Sequence, residues 1–359
     1  MTYSHRRQKV VNLLAELDLD ALVFCQPENI RYLCGFCGSD GVLIVTSGQL
    51  VFMTDSRYTT QAHEEVAADC IDEYIIKVEG VIAQLMTSAV TRIGFEADLS
   101  FSIVNEFQEK GDANWQWLHF KDELQGLRLH KSADEISSII NAANLNVLGL
   151  AEIETMIRPG VREDEIALAL EFALRKLGAE EKAFDIIVAS GLRGAMPHGI
   201  ASDKVLSEGE LVTIDFGCRL SGYHSDETVT FALGKVSDEL RTIYDTVLEA
   251  HDRALAAVSP GVALNELDRI ARDHISACGF GDYFGHGLGH GVGLEVHEAP
   301  VVSPRSKAIA EEGMVFTIEP GIYVPGVGGV RIEDMVLVTA DGYQALTKIP
   351  KTFRNILLN

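Results

Sequence analysis

No run of about 18 consecutive apolar residues occurs in the chain, so the simplest signature of a bilayer-spanning helix is missing. The opening residues, MTYSHRRQKVVNLLAELDLD, alternate charge with apolar positions at helical spacing. They lack the long apolar core and small-residue cleavage site of a secretory signal. A cytoplasmic protein with no membrane partner is the expectation. Positive charge is also scarce: 30 Lys and Arg stand against 53 Asp and Glu, a net charge of −23. Nucleic-acid phosphates would be repelled, so no nucleic-acid partner is expected. Cysteine is sparse, six in 359 residues, and only Cys34 and Cys37 in CGFC stand close together. No second C-x-x-C or spaced histidine pair completes a zinc set, and no βαβ context suits thioredoxin-like redox chemistry. The two read as unpaired thiols packed beside a strand end, in a reducing compartment.

The length of 359 residues exceeds one ordinary core and suits two domains. Hydrophobic content of 47% and charged content of 23% are those of a globular protein. Short β-branched runs at 20–25, 42–46, 50–53 and 93–96 read as strands, with helices near 5–17, 58–68 and 101–109. That is an α/β unit. After the charged stretch KDELQGLRLHK, Ser132 and Glu135 are spaced as a capping box at a helix start. The boundary is therefore placed near residue 128, giving domains 1–128 and 129–359. The second domain predicts helices over 133–157 and 163–177, strands at 185–189, 211–217 and 226–233, then helices over 238–258 and 264–277. Strands at 314–319 and 330–338 close it.

Two segments of that second domain nearly repeat each other. Residues 208–215 read EGELVTID and residues 312–319 read EGMVFTIE. Each ends in a carboxylate, Asp215 or Glu319, and each is followed by another acid on an apolar run, Asp226 in HSDETVTF and Glu333 in GVRIEDMVLV. A core strand rarely ends in an acid, because an unpaired buried carboxylate costs several kcal/mol or must be protonated. Four such acids in two matched halves point to metal ions as the compensating charge. Leu211, Thr213 and Asp215 share one strand face by period two, and Gly217 and Gly222 permit a return that brings Asp226 beside Asp215. The plainer alternative puts Asp215 in a turn and Asp226 on the surface. Thr228 and Thr230, continuing the Asp226 face of an otherwise apolar strand, weigh against it. For Glu333 the plainer alternative is a structural salt bridge with Arg331, and the repeat weighs against that.

Between the two pairs lies HGLGHGVGLEVHE, with His286, His290 and His297 among five glycines if Gly285 is counted. Glycine at such density carries an entropic cost that normally has a reason. A phosphate loop is excluded by the missing Gly-Lys-Ser/Thr ending. Four carboxylates and one imidazole make an oxygen-rich set that suits Mn²⁺ or Co²⁺, with Zn²⁺ possible and Mg²⁺ less so. Cysteine is absent from the set, which argues against a closed structural zinc site. Two ions so held can activate water and polarise a carbonyl, the apparatus of a hydrolase.

The order Asp215, Asp226, His290, Glu319, Glu333, carried in TIDFG, SDETVTF, GLGHGVGLEVHE, TIEPGIY and GVRIED, resembles the proline-specific metallopeptidases aminopeptidase P and prolidase. These share the pita-bread fold with methionine aminopeptidase and creatinase. The resemblance covers the whole chain. It implies an α/β N-terminal creatinase-like domain and an α+β pita-bread catalytic domain with an internal pseudo-two-fold repeat. It also implies that Asp215 and Asp226 chelate one ion, that His290 belongs to the other, and that Asp226 and Glu333 bridge. Glu319 would be both a ligand and the general base. His198 in MPHG and His286 would contact substrate carbonyls or the leaving group, His297 would stabilise the oxyanion, and Arg331 would steady the bridging carboxylates. A homodimer and a peptide substrate with proline in second place follow from the same likeness.

Creatinase-type relatives lack the metal acids, and methionine aminopeptidases lack the Arg-x-Glu found here as Arg331-Ile332-Glu333. The prolyl branch is therefore preferred. Two departures stand within it. The usual Asp-x-Thr-Arg-Thr is here Asp226-Glu227-Thr228-Val229-Thr230, and the arginine with which many prolidases hold a dipeptide carboxylate is replaced by Val301, Arg305 being the next candidate. The second departure favours an aminopeptidase P-like exopeptidase, with the strict Xaa-Pro dipeptidase as the alternative. A non-catalytic pita-bread binding protein and a metal-dependent phosphoesterase are the remaining rivals. The first is disfavoured by the intact acids and the second by the resemblance.

Overall fold

The β-branched runs of the first 128 residues pair into one mixed six-stranded sheet in a computed structural model that describes residues 2–356. Its order is Cys70–Glu73, Leu50–Thr54, Val42–Thr46, Ala21–Phe24, Arg92–Glu96, Gln116–Phe120. Ala21–Phe24 runs antiparallel to Val42–Thr46 and parallel to Arg92–Glu96, and every residue of this central strand is buried. A strand apolar at all positions needs cover on both faces. The helices Tyr3–Glu16, Pro27–Cys34, Thr59–Glu65, Lys77–Met86 and Phe101–Lys110 alternate with the strands along the chain, except that Val42–Thr46 leads directly into Leu50–Thr54. Cys34 ends the helix Pro27–Cys34, whose cap Gly35 takes φ 91°, so CGFC follows a helix and not a strand end. The expected strand end was the wrong context because PENIRYLC places its apolar residues at helical spacing behind a helix-starting proline. No disulfide joins the cysteines among the described residues.

The chain divides into two compact units, residues 1–128 and 129–359. The second unit opens with the helix Ala133–Ile153, where Glu135 accepts hydrogen bonds from the Ser132 N–H (2.9 Å) and hydroxyl (2.7 Å). Such a cap stabilises a helix by about 1 kcal/mol. Ile139, Ala142, Ala143, Asn146 and Leu150 recur every three or four residues and are buried. One 18-residue window of this helix is apolar enough to cross a membrane by composition, although Asn141, Asn144 and Asn146 interrupt it. Its buried face packs on the core strands of the unit instead.

The two halves of this unit repeat one plan. Helices Ala133–Ile153 and Glu163–Lys176 precede the antiparallel strands Ile187–Ser190, Leu211–Phe216 and Glu227–Ala232, which lie in that order. Helices Asp238–Ala256 and Leu264–Ala277 precede Gly289–Gly291, Val315–Ile318 and Asp334–Thr339, again adjacent in that order and antiparallel. Gly209 and Gly313, the matched glycines of the repeat, both take φ 88°, a conformation that favours glycine. This is the pseudo-two-fold pita-bread architecture.

One expected strand is divided. Residues 330–338 form the end of Gly328–Arg331, paired with Gly321–Val324, and then Asp334–Thr339, paired with Val315–Ile318. Arg331 sits opposite Gly321 and Asp334 opposite Ile318, so the chain changes sheet across Ile332 and Glu333. The Glu333 N–H is satisfied by the Thr228 carbonyl at 3.2 Å, in the other half of the repeat. Apolar periodicity runs straight through this break, which is why the sequence reads as one strand.

Candidate metal centre

The strand Leu211–Phe216 splits its side chains as period two requires. Val212, Ile214 and Phe216 enter the core with Val229, while Thr213 meets Thr230 hydroxyl to hydroxyl at 3.0 Å on the other face. Asp215 continues the Thr213 face and lies opposite Thr228. Asp226 immediately precedes Glu227–Ala232, and Glu333 immediately precedes Asp334–Thr339, so the two acids occupy matched places at the heads of matched strands. Val229, where relatives were expected to carry arginine, is 3% exposed in the apolar core. That departure lies on the opposite face of its strand from the acids.

Gly289–Gly291 is a strand that glycine content hides. A Cβ on Gly289 would lie 2.0 Å from the Thr317 carbonyl oxygen, and one on Gly291 would lie 2.1 Å from that of Ala299. Only glycine permits this approach, which carries His290 against Val315–Ile318. The His290 N–H donates to Thr317 Oγ1 at 3.0 Å, and that hydroxyl donates to Glu319 Oε1 at 3.0 Å. Nδ1 of His290 lies 3.1 Å from the Gly291 carbonyl, which can only accept, so the ring proton sits on Nδ1. Nε2 is left facing Glu319 Oε1 at 3.2 Å and Asp226 Oδ2 at 3.6 Å.

Ligand atoms of Asp226, His290 and Glu333 lie within 4.8 Å of one another. Glu319 adjoins them through His290, and Asp215 lines the same cavity. Burial, and then the charges of Glu333, Asp215 and Glu319, push the Asp226 carboxyl well above the usual range. Glu333 is raised in the same way by burial and by Glu319 and Asp215. Burial also acts to raise Glu319, but the His290 hydrogen bond and the positive charges of His290 and Arg331 outweigh it and bring Glu319 down to about 2. His290 is correspondingly held above its ordinary value despite burial. A proton on Nε2 and a metal ion compete for one lone pair, so ion binding here displaces a proton.

Arg331, expected to brace Asp226 and Glu333, grips Asp215 instead: its Nη2 donates to Asp215 Oδ2 at 2.5 Å. It reaches Glu333 only through Thr228, whose hydroxyl accepts from Arg331 Nε at 3.2 Å and donates to Glu333 Oε2 at 2.6 Å. Arg331 Nη1 also donates to Tyr323 Oη at 2.9 Å and the Pro197 carbonyl at 3.0 Å. Tyr323 Oη in turn lies 3.0 Å from His286 Nε2, and His286 Nδ1 lies 2.8 Å from the Gly287 carbonyl. Burial lowers the His286 pKa, so the ring is neutral with its proton on Nδ1, and the Tyr323 hydroxyl donates to Nε2. Both nitrogens of His286 are thereby engaged within the protein. His286 thus supports Tyr323, and it lines the same cavity, where the expected substrate contact would be made.

Thr228 and Tyr323 were not among the residues singled out as functional. Thr228 carried a partial signal, a hydroxyl at period two from Asp226. Tyr323, two residues beyond the TIEPG turn, entered only as the last residue of TIEPGIY, with no role attached. His198 and His297 are exposed at the cavity wall, and the His297 ring packs edge-on to His290 with centroids 4.2 Å apart. Partial desolvation of the ring at the cavity wall and the His290 charge lower the His297 pKa, leaving it a neutral donor at neutral pH. The cavity has a volume of about 500 Å³ and apolar walls from Phe184, Ile187, Pro197, Ile200 and Val301. Such a size is typical of small-ligand sites.

These residues fit divalent ions. One guanidinium faces four carboxylates, two of them buried and disfavoured as anions, and Asp215 Oδ1 is buried with no hydrogen-bond partner. Such groups cost several kcal/mol unless a charge joins them. Oxygen donors with one imidazole suit a cation of intermediate hardness.

Comparison with known proteins gives one answer for both units. Residues 137–340 match the family described as "Metallopeptidase family M24", and residues 6–130 match the "Creatinase/Prolidase N-terminal domain". A Xaa-Pro dipeptidase of Pyrococcus furiosus is 39% identical over 96% of this chain and 97% of its own. The solved structure of a Xaa-Pro dipeptidase from Bacillus anthracis superposes with a TM-score of 0.95 at 39% identity, covering 99% of this chain and 100% of that one. That of an X-Pro aminopeptidase from Thermotoga maritima MSB8 gives 0.89 at 36% identity, covering 97% and 99%.

Proposed function

We propose that this chain, which belongs to metallopeptidase family M24 with a creatinase/prolidase N-terminal domain, is a dinuclear Xaa-Pro dipeptidase. Membership of the family makes it a divalent-metal peptidase; the choice of dipeptidase is supported by the Xaa-Pro dipeptidase relatives, and the dinuclear centre by one observation above all. Donors of Asp226, His290 and Glu333 converge within 4.8 Å on an apolar-walled cavity that also presents Asp215 and Glu319. Asp215, Asp226, His290, Glu319 and Glu333 would hold two ions, most simply Mn²⁺, with Co²⁺ or Zn²⁺ as alternatives. The bound ions supply Lewis acidity that activates water and polarises the scissile carbonyl.

The chain's own groups do the rest. Glu319 Oε2, the oxygen engaged by neither Thr317 nor His290, takes the proton of the attacking water and passes it to the leaving proline nitrogen. His297 has no hydrogen-bond partner among the described residues, so its N–H is available to the oxyanion. Arg331 and Thr228 hold Asp215 and Glu333 in fixed rotamers, which sets the donors before substrate arrives.

Val301 supports a second reading, the aminopeptidase. It is 58% exposed on the cavity wall, and among the described residues Arg331 is the only arginine or lysine lining that cavity. The two dipeptidase relatives favour the first reading, in which His198 meets the free carboxylate. A charge-assisted contact of that kind is worth about 1.5–3 kcal/mol, or one to two decades in kcat/KM. Metal-loaded protein is therefore expected to cleave Ala-Pro at least tenfold more efficiently than Ala-Pro-Ala, and Val301→Arg is expected to widen the gap. Equal or faster cleavage of Ala-Pro-Ala at its Ala–Pro bond would replace the dipeptidase by the aminopeptidase.

A further inference from the structure

Each half of the catalytic unit places two acids in succession at the head of its strand, Asp226-Glu227 and Glu333-Asp334. The first of each pair lines the cavity and the second does not. Glu227 and Asp334, though they belong to different sheets, meet at one group: Lys351 Nζ lies 2.7 Å from Glu227 Oε1 and 3.4 Å from Asp334 Oδ1. Both acids and the lysine ammonium are buried. The segment around the lysine is tied to the same two acids. The Ile349 N–H donates to Glu227 Oε1 at 3.1 Å, and the Thr347 hydroxyl donates to Asp334 Oδ1 at 2.5 Å. The Tyr244 hydroxyl secures the Lys351 carbonyl at 2.8 Å, and His251 Nε2 approaches Asp334 Oδ2 at 3.2 Å.

Burying an ammonium and two carboxylates is a costly way to join two sheets, since apolar residues of similar volume often serve stability as well or better. What the ionic arrangement provides is geometry: one point charge fixes one acid from each half. Consecutive Cα atoms are about 3.8 Å apart, so holding Glu227 and Asp334 restrains Asp226 and Glu333 directly. We propose that Lys351 is a positioning residue for the metal centre. It sets the separation of Asp226 and Glu333 across the pseudo-two-fold by gripping the acid that follows each. It touches neither ion nor substrate, and the proposal rests on the reading of Asp226 and Glu333 as ligands.

The test is Mn²⁺ affinity of the full chain, measured by competition with a fluorescent chelator, for the parent, Lys351→Met and Lys351→Arg. Lys351→Met is expected to weaken binding at least tenfold and to shrink the rise in Tm that saturating Mn²⁺ produces. Lys351→Arg, whose fork can still span both acids, is expected to stay within about threefold of the parent. A lysine serving the fold alone would lower the metal-free Tm and leave the affinity unchanged. If Lys351→Met yields no folded protein, Glu227→Gln and Asp334→Asn each release one half while keeping the lysine, and each is expected to weaken binding at least threefold. Parental affinity in Lys351→Met, or in both carboxamide variants, overturns the proposal. A parent chain that binds no Mn²⁺ overturns the metal-centre reading itself, a result distinct from tight binding by parent and variants alike.

Discussion

Asp226→Asn is expected to abolish metal retention and to lower kcat/KM for Ala-Pro at least 10³-fold, about 4 kcal/mol of transition-state stabilisation. Asp226 is 4% exposed, its Oδ2 faces His290 Nε2, and it shares a cluster with Glu333. Among the described residues the ligand cluster is Asp226, His290 and Glu333, so the loss of Asp226 takes a donor from the middle of the set. Stability should move in the opposite direction. In the absence of an ion the buried Asp226 carboxyl is unfavourable as an anion, repelled by Glu333, Asp215 and Glu319. Replacing it by a neutral amide removes that repulsion, so the metal-free variant should unfold at a temperature no lower than the metal-free parent. Added Mn²⁺ should raise the Tm of the parent and leave that of the variant unchanged, because only a ligand that binds the native state stabilises it. Metal content after desalting and two thermal scans decide the matter. A variant that retains parental metal would remove Asp226 from the ligand set.

His297→Ala should separate from that behaviour cleanly. The ring packs against His290, yet its own nitrogens have no partner among the described residues, and its lowered pKa keeps it a neutral donor. Removing one transition-state donor costs roughly 10²-fold or more in kcat. The loss should fall on kcat with KM little changed, the pattern of an interaction made only in the transition state. Metal content should stay at the parental level. If His297→Ala bound no metal, the residue would be a ligand or the support of one, and the oxyanion would need another donor.

Much of this site is legible in the sequence because a carboxylate on a core strand contradicts its surroundings. TID and TIE stand out for that reason, and so do three histidines laced with glycine. The pseudo-two-fold repeat follows from the same matched segments, and the pita-bread class from the family resemblance that they help to carry. What stays hidden has a physical cause in each case. Thr228 and Tyr323 are ordinary strand residues by type, and only the structure shows their hydroxyls joining Arg331 to Glu333 and to His286. The break at Ile332–Glu333 is invisible because apolar periodicity continues through it. Arg331 reads as a partner for glutamate at period two, but the change of sheet after it turns the guanidinium to Asp215. Lys351 lies 18 residues beyond Glu333, in a segment with no motif, and its meaning appears only when two sheets meet. Substrate length is the least legible property. Val301 speaks for the aminopeptidase and the relatives speak for the dipeptidase, because a carboxylate can be held by any suitably placed donor.

The most direct test of the account is a metal titration followed by Ala-Pro hydrolysis. Protein stripped with a chelator and freed of it should show no hydrolysis above background. Activity should return on adding Mn²⁺, or Co²⁺, and level off once two ions are bound per chain, since neither Glu319 nor His297 can activate water or polarise the carbonyl unaided. Full hydrolysis by protein shown to be metal-free would contradict the account.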